Sequence, residues 1–217
     1  MNARTRRGSV AGPAGQLMTA IDEPAGTPVG LALLCHPHPL HGGTMDNKVV
    51  QTLARACVAL GYTVLRLNFR GVGGSEGTWD EGSGEIDDAQ AVLLAHRAAG
   101  QPLVIAGFSF GGYVASQLAA RLAAWPADAR APGGAAQRLV LVGPAVSRFD
   151  VAPVPSDTLV IHGEIDDVVP LLAVLDWARP QALPVVVVPG AGHFFHGQLP
   201  LLKTIVTRAL SARTESH

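Results

Sequence analysis

The sequence predicts an α/β fold: a mainly parallel central sheet with helices on both faces. Three observations carry this. Short apolar runs alternate with segments of helical periodicity from residue 29 to the end of the chain. The runs are continuously apolar rather than alternating, as strands buried on both faces require. The helical segments between them are long enough to cross from one parallel strand to the next.

In order, a short N-terminal region contains a Gly-Pro turn at Gly12-Pro13, and "VGLALLC" (29–35) is the first buried strand. "DNKVVQTLARACVALGY" follows with helical spacing, and Gly61 stands where a C-terminal cap belongs. Asp46 and Asn47 precede this helix and are candidate N-caps. "TVLRLNF" is the next strand, and the helix "GEIDDAQAVLLAHRAAG" places Glu85, Asp87 and Asp88 near its positive end. "PLVIAGF" and "GGYVASQLAARLAAW" repeat the pair; "WPADARAPGGAAQ" then reads as a surface excursion. "RLVLVG", "TLVIHG" and "PVVVVPG" complete the strands, with "PLLAVLDWARP" as a helix between the last two and "LPLLKTIVTRALSA" closing the chain. No linker or repeat divides residues 1–217, so one domain is expected.

Composition excludes several classes of partner. The 16 basic and 17 acidic residues are scattered, giving a formal net charge of -1 and no footprint for nucleic acid or an anionic membrane. Arg4, Arg6 and Arg7 cluster, but at a terminus expected to be frayed and solvated. No stretch is long and apolar enough to span a bilayer, and the N-terminus lacks the apolar core of a secretory signal, so a cytoplasmic protein is expected. Cys35 and Cys57 form neither a disulfide framework nor a C-x-x-C pair and read as small buried hydrophobes.

The chemistry is concentrated at Gly107-Phe108-Ser109-Phe110-Gly111, between a buried strand and an Ala-rich helix. G-x-S-x-G in a strand-turn-helix context is a nucleophile elbow: the serine sits on a strained turn, and the glycines two before and two after leave room for it. A serine hydroxyl needs a base, usually a histidine oriented by a carboxylate. Downstream, "HGEIDDVVP" and "GAGHFFHG" each follow a strand, offering Asp166 or Asp167 as acid and His193 or His196 as base. His162 ends a strand and reads as structural; His96 and His217 carry no assignment.

With these motifs in order, the chain resembles the α/β-hydrolase superfamily, specifically its small lidless serine hydrolases akin to minimal carboxylesterases and dienelactone-hydrolase-like proteins. The resemblance spans "HPHPLHGGTMDN", "NFRGVGGSEG", "GFSFGG", "HGEIDDVVP" and "GAGHFF". The family's H-G-x-x-D-x-x-V-P pattern falls on His162, Gly163, Asp166, Val169 and Pro170, which implies Asp166 as the acid. Its G-x-G-H pattern ends on His193, the implied base. A dienelactone hydrolase proper uses cysteine, so the serine argues against that substrate. The fourteen or so residues between "LVLVG" and "TLVIHG" are too few and too rich in proline for a helical cap, so an α/β-hydrolase fold with no cap domain and an open pocket is expected.

The stretch "CHPHPLHGG" supports two readings. The spacing of His36, His38 and His41 resembles the H-x-H-x-D-H zinc cluster of metallo-β-lactamase-like hydrolases, but Leu40 stands where the Asp ligand would be. In the elbow architecture the same loop supplies one N–H of the oxyanion hole, the other coming from Phe110, the residue after the nucleophile. Pro37 and Pro39 have no N–H, which leaves His36, His38, Leu40 and the residues beyond as possible donors. Matching "LLCHP" to the "LLHG" of the resembled α/β-hydrolase family implies His38 as the donor, with Leu40 second. Leu40, Trp79, Phe108 and Phe194, together with Phe110 and Phe195, are candidates to line a pocket for a small or medium apolar acyl group. Arg70, in the glycine-rich loop "RGVGGSEGTWDEGSG", reads either as an anchor of the elbow region through hydrogen bonds or, the more frequent outcome for such an arginine, as a fold-stabilising contact. The expected activity is therefore serine hydrolysis of a small-molecule ester or thioester, needing no metal or other cofactor. A zinc hydrolase, and a non-catalytic binding module on the same fold, are the rivals.

Overall fold

The computed structural model describes residues 4–125 and 134–211. Residues 126–133, the middle of the expected surface excursion, and His217 lie outside the described residues. Among the described residues eight strands form one sheet: β1 (Thr5–Gly12), β2 (Gly15–Asp22), β3 (Gly30–Cys35), β4 (Tyr62–Leu67), β5 (Leu103–Phe108), β6 (Arg138–Val142), β7 (Leu159–Gly163) and β8 (Val185–Val188). Five α-helices of the described residues accompany them: α1 (Lys48–Ala59), α2 (Ser83–His96), α3 (Phe110–Ala123), α4 (Leu171–Ala178) and α5 (Leu199–Ser211). Strand order is β1-β2-β4-β3-β5-β6-β7-β8. β1 and β2 pair antiparallel, as do β2 and β4, and every other pairing is parallel.

The N-terminal segment corrects the sequence reading. Instead of a turn-bearing region with a frayed basic end, Thr5–Gly12 and Gly15–Asp22 form a hairpin that extends the sheet by two strands. Its signal is weak because β1 is an edge strand, mostly exposed on both faces, and so lacks the apolar run that marks a central strand. The arginines are paired rather than free: Arg6 meets Glu23 at 2.7 Å, Arg7 meets Asp46 at 2.8 Å and Arg4 donates to the Pro24 carbonyl. Asp46 is thus engaged by Arg7, and by Arg66 at 3.1 Å, while Asn47 alone caps α1 by accepting from Val49 N–H at 2.9 Å.

Successive side chains of each central strand point to opposite faces. On β5, Leu103 and Ile105 join the apolar cluster formed with α2, α3 and α4, whereas Val104, Ala106 and Phe108 join the one formed with α1 and α5. α1 buries Val49, Val50, Leu53, Ala54 and Cys57, three to four residues apart, against this second face. Each such Leu or Val contributes about 1.5–3 kcal/mol by leaving water. The chain goes from β3 to β4 on one side, then returns past β3 to place β5 on the other. That reversal opens a crevice at the carboxyl ends of β3 and β5, where open α/β sheets bind ligands. The link from β6 to β7 contains no helix, so among the described residues no cap is inserted there over this edge.

Candidate active site

Ser109 follows β5 at the edge of that crevice, with φ 57° and ψ -118°. Such a conformation is costly for a residue with a Cβ and persists only where its surroundings hold it. Here Ser109 N–H donates to the Val142 carbonyl at 2.9 Å, and its own carbonyl accepts from Gly112 at 2.8 Å. The flanking glycines make the turn possible by contact rather than by conformational freedom. A Cβ on Gly107 would stand 2.0 Å from the Gly111 carbonyl oxygen, and one on Gly111 would stand 2.2 Å from that of Cys35. The N-terminus of α3 is therefore pressed directly against the end of β3.

The loops after β7 and β8 bring two more side chains to Ser109. Its Oγ lies 3.0 Å from His193 Nε2, and His193 Nδ1 donates to Asp166 Oδ2 at 2.7 Å. Ser109, Asp166 and His193 are all largely buried. Asp166 is fixed through its other oxygen, which accepts from Val168 N–H at 2.9 Å and Val169 N–H at 2.8 Å. Burial alone would raise this carboxyl; the hydrogen bonds from His193 and Val169 and the adjacent imidazoles more than offset it, and the group stays below its ordinary pKa. Asp167 and His196 are exposed and take no part. His162 lies beneath, its Nε2–H donating to the Val169 carbonyl at 2.9 Å and sitting 3.5 Å from Asp166 Oδ2. Burial lowers its pKa, and its Nδ1 has no partner among the described residues.

The loop after β3 is ordered by its histidines. His36 is wholly buried; its Nδ1–H donates to the Pro37 carbonyl at 2.6 Å and its Nε2 accepts from Phe69 N–H at 3.1 Å. Burial pushes its pKa down to about 4, the Pro37 bond only partly opposing this. The His38 ring accepts from Leu40 N–H through Nδ1 at 3.2 Å, so the second-choice donor, Leu40, is already engaged. The N–H groups of His38 and of Phe110, the first residue of α3, meet no acceptor among the described residues.

The comparisons with known proteins give the family of the chain. A family model described as serine aminopeptidase, S33, matches residues 38–184. A lidless α/β serine hydrolase from Xanthomonas campestris superposes with a TM-score of 0.84 at 37% identity, covering 97% of this chain and 95% of its own. An α/β serine hydrolase homologue from Coxiella burnetii gives 0.79 at 38% identity, covering 97% and 98%. A protein of Rickettsia prowazekii (strain Madrid E) is 34% identical over 200 residues, which span 85% of this chain and 79% of that protein. The chain belongs to the serine hydrolases of the α/β-hydrolase superfamily.

The histidine rings of the loop after β3 in this α/β hydrolase are engaged with backbone groups and with aromatic neighbours. Both ring nitrogens of His36 face backbone partners, His38 Nδ1 is turned to Leu40, and His38 and His41 stack on each other with centroids 4.5 Å apart. Among the described residues no three His, Cys, Asp or Glu side chains converge as a metal site. The rings instead join an aromatic wall: His38 lies 4.6 Å from Trp79 and 5.8 Å from Phe149, and Phe110 lies 5.1 Å from Trp79 and 5.0 Å from Phe149. Phe149 and Tyr113, 5.1 Å apart, are members that sequence reasoning missed. Only the fold brings the loop after β6 to this wall.

The remaining pocket candidates divide. Phe108 and Phe195 are fully buried; Phe108 packs 4.9 Å from the His193 ring and supports it from below. Phe194 and Leu40 are exposed, at 44% and 66%, on the loops that carry His193 and His38. Trp79 is held by its loop, which Arg70 organises: the guanidinium meets Asp88 at 3.0 and 2.8 Å and donates to the Gly84 carbonyl at 2.7 Å. Arg70 anchors the loop rather than the elbow. Among the described residues no helix is long and apolar enough to cross a membrane.

Proposed function

We propose that this α/β hydrolase cleaves small or medium carboxylic esters or thioesters through an acyl-enzyme on Ser109. The observation that carries the reading is the continuous path from Ser109 Oγ through His193 to Asp166, at 3.0 and 2.7 Å. His193 takes the Ser109 proton as Oγ attacks the carbonyl carbon, and Asp166 stabilises the imidazolium that forms. The oxygen that becomes negative is met by the N–H groups of Phe110 and His38, each such donor being worth on the order of 100 to 1,000-fold in turnover. The imidazolium then protonates the leaving group, and a water activated by the same histidine releases the acid and restores Ser109.

The acyl group lies along Trp79 and Phe149, which the fully buried Phe110 backs, with Phe194 and Leu40 at the open rim. An apolar acid of modest size fits this uncapped crevice better than a charged or bulky one. The reading takes residues 1–217 as one catalytic domain that needs no metal or other cofactor, in the cytoplasm, where the unpaired Cys35 and Cys57 stay reduced.

A fluorophosphonate probe tests the reading. Wild type labels and Ser109→Ala does not; equal labelling of both, or labelling of neither, sinks it and favours a binding module on the same fold. A p-nitrophenyl ester series from acetate to decanoate then places the acyl preference. The highest kcat/KM is expected among the shorter chains.

A further inference from the structure

A second cavity, of about 310 Å³, lies on the α1 and α5 side of the sheet. None of its lining residues belongs to the loops after β3, β5, β7 or β8, so it does not open onto Ser109. We propose that it binds an amphiphilic monocarboxylate, an apolar chain or ring ending in one negative charge. This does not rest on the esterase reading.

The floor of the cavity is an ion pair closed on itself. Arg66, 1% exposed, donates to Asp22 at 2.8 and 3.3 Å, to the Met45 carbonyl at 2.9 Å and to Asp46 at 3.1 Å. Its guanidinium is nearly saturated and its charge is balanced, so the floor itself neither takes an anion nor repels one strongly. The α1 wall is apolar at Ala54, Val58 and Ala59 and polar at Gln51, whose amide donates to the Asp46 carbonyl at 3.0 Å. Two cations line the same space with little to hold them. Lys203 of α5 has no hydrogen-bond or ion-pair partner among the described residues, and the side-chain bond of Arg55 is a single one, to Thr52 Oγ1 at 2.8 Å.

Two uncompensated positive charges beside an apolar wall, in a chain of net charge -1, set the class of ligand. A carboxylate satisfies the ammonium and the remaining guanidinium N–H groups, while its apolar body covers the α1 wall. A small inorganic anion would leave the wall wet, and a neutral lipid would leave the cations unmatched. The volume is at the lower end of the range of small-molecule sites, about 300–1,000 Å³, which suits a medium chain or a single substituted ring.

Calorimetric titration of the full chain with sodium octanoate tests the proposal. Wild type and Ser109→Ala bind with equal Kd, whereas Lys203→Glu and Arg55→Glu each weaken binding by about tenfold or more. Acetate and 1-octanol, which carry the head and the body alone, bind at least about tenfold more weakly than octanoate. Lys203→Met and Arg55→Met, which remove charge without adding any, serve if a reversal fails to fold. Absent binding, binding indifferent to both cation substitutions, or binding lost in Ser109→Ala would each overturn the site. Acetate or inorganic phosphate binding as tightly as octanoate would overturn the amphiphilic class.

Discussion

Gly111→Ala is the substitution with the most direct consequence for the crevice. A Cβ at this position stands 2.2 Å from the Cys35 carbonyl oxygen and 2.6 Å from that of His36, where real contacts stay above 3.0 Å. Both obstacles are backbone, so no side chain can swing aside; α3 and the end of β3 must separate by about 0.8 Å. The loop carrying His38 N–H is attached at that point, and it would move relative to Ser109 by a similar distance. Oxyanion donors act over a narrow range, and a misplacement near 1 Å costs on the order of 100-fold. The same overpacking lowers stability by about 1–3 kcal/mol. Steady-state hydrolysis of p-nitrophenyl acetate and a urea midpoint measure the two effects, with Gly26→Ala, whose Cβ meets nothing within 4 Å, as the neutral control. A folded Gly111→Ala protein with kcat/KM within about threefold of wild type would refute the claim that this contact positions the oxyanion loop.

Three further outcomes follow from the site. Asp166→Asn lowers kcat by about 10⁴, since His193 loses the partner that fixes its tautomer, while Asp167→Asn changes it by less than about threefold; equal losses in the two variants would unseat the acid assignment. His36 has a folded pKa of about 4, below the ordinary 6.5, so the neutral imidazole contributes fully above pH 6.5 and its contribution drains away as pH falls toward 4, by up to about 3 kcal/mol. Urea midpoints at pH 7 and pH 4.5 should therefore fall less for His36→Gln than for wild type, and parallel falls would show that another group is responsible. Asp88→Asn takes the charge and one of the two acceptor oxygens from the partner of Arg70, leaving Asp80 at 3.6 Å as its ion pair, and costs about 1–3 kcal/mol by thermal unfolding, with Trp79 released from the aromatic wall.

The sequence carried the central strands and the helices because their burial is written as apolar runs and helical periodicity. It also carried Ser109, because the elbow is local: strand, turn and helix lie within a dozen residues. The residues alone offered two neighbours as the proposed acid; in the structure Asp166 is buried against two backbone N–H groups and Asp167 is exposed. What escaped depends on contacts between distant segments. β1 is exposed on both faces and has no apolar signature. Phe149 reaches the wall only through the path of the loop after β6. The occupation of Leu40 N–H by the His38 ring is a loop conformation that no spacing rule encodes.

The central claim is a covalent acyl group on Ser109 during turnover, and mass spectrometry of protein quenched within the first turnovers of a p-nitrophenyl ester tests it most directly. The account predicts one acyl adduct per chain, located on the peptide containing Gly107-Phe108-Ser109-Phe110-Gly111, and absent from Ser109→Ala. Hydrolysis by wild type with no adduct at any quench time, or an adduct that persists in Ser109→Ala, would contradict it.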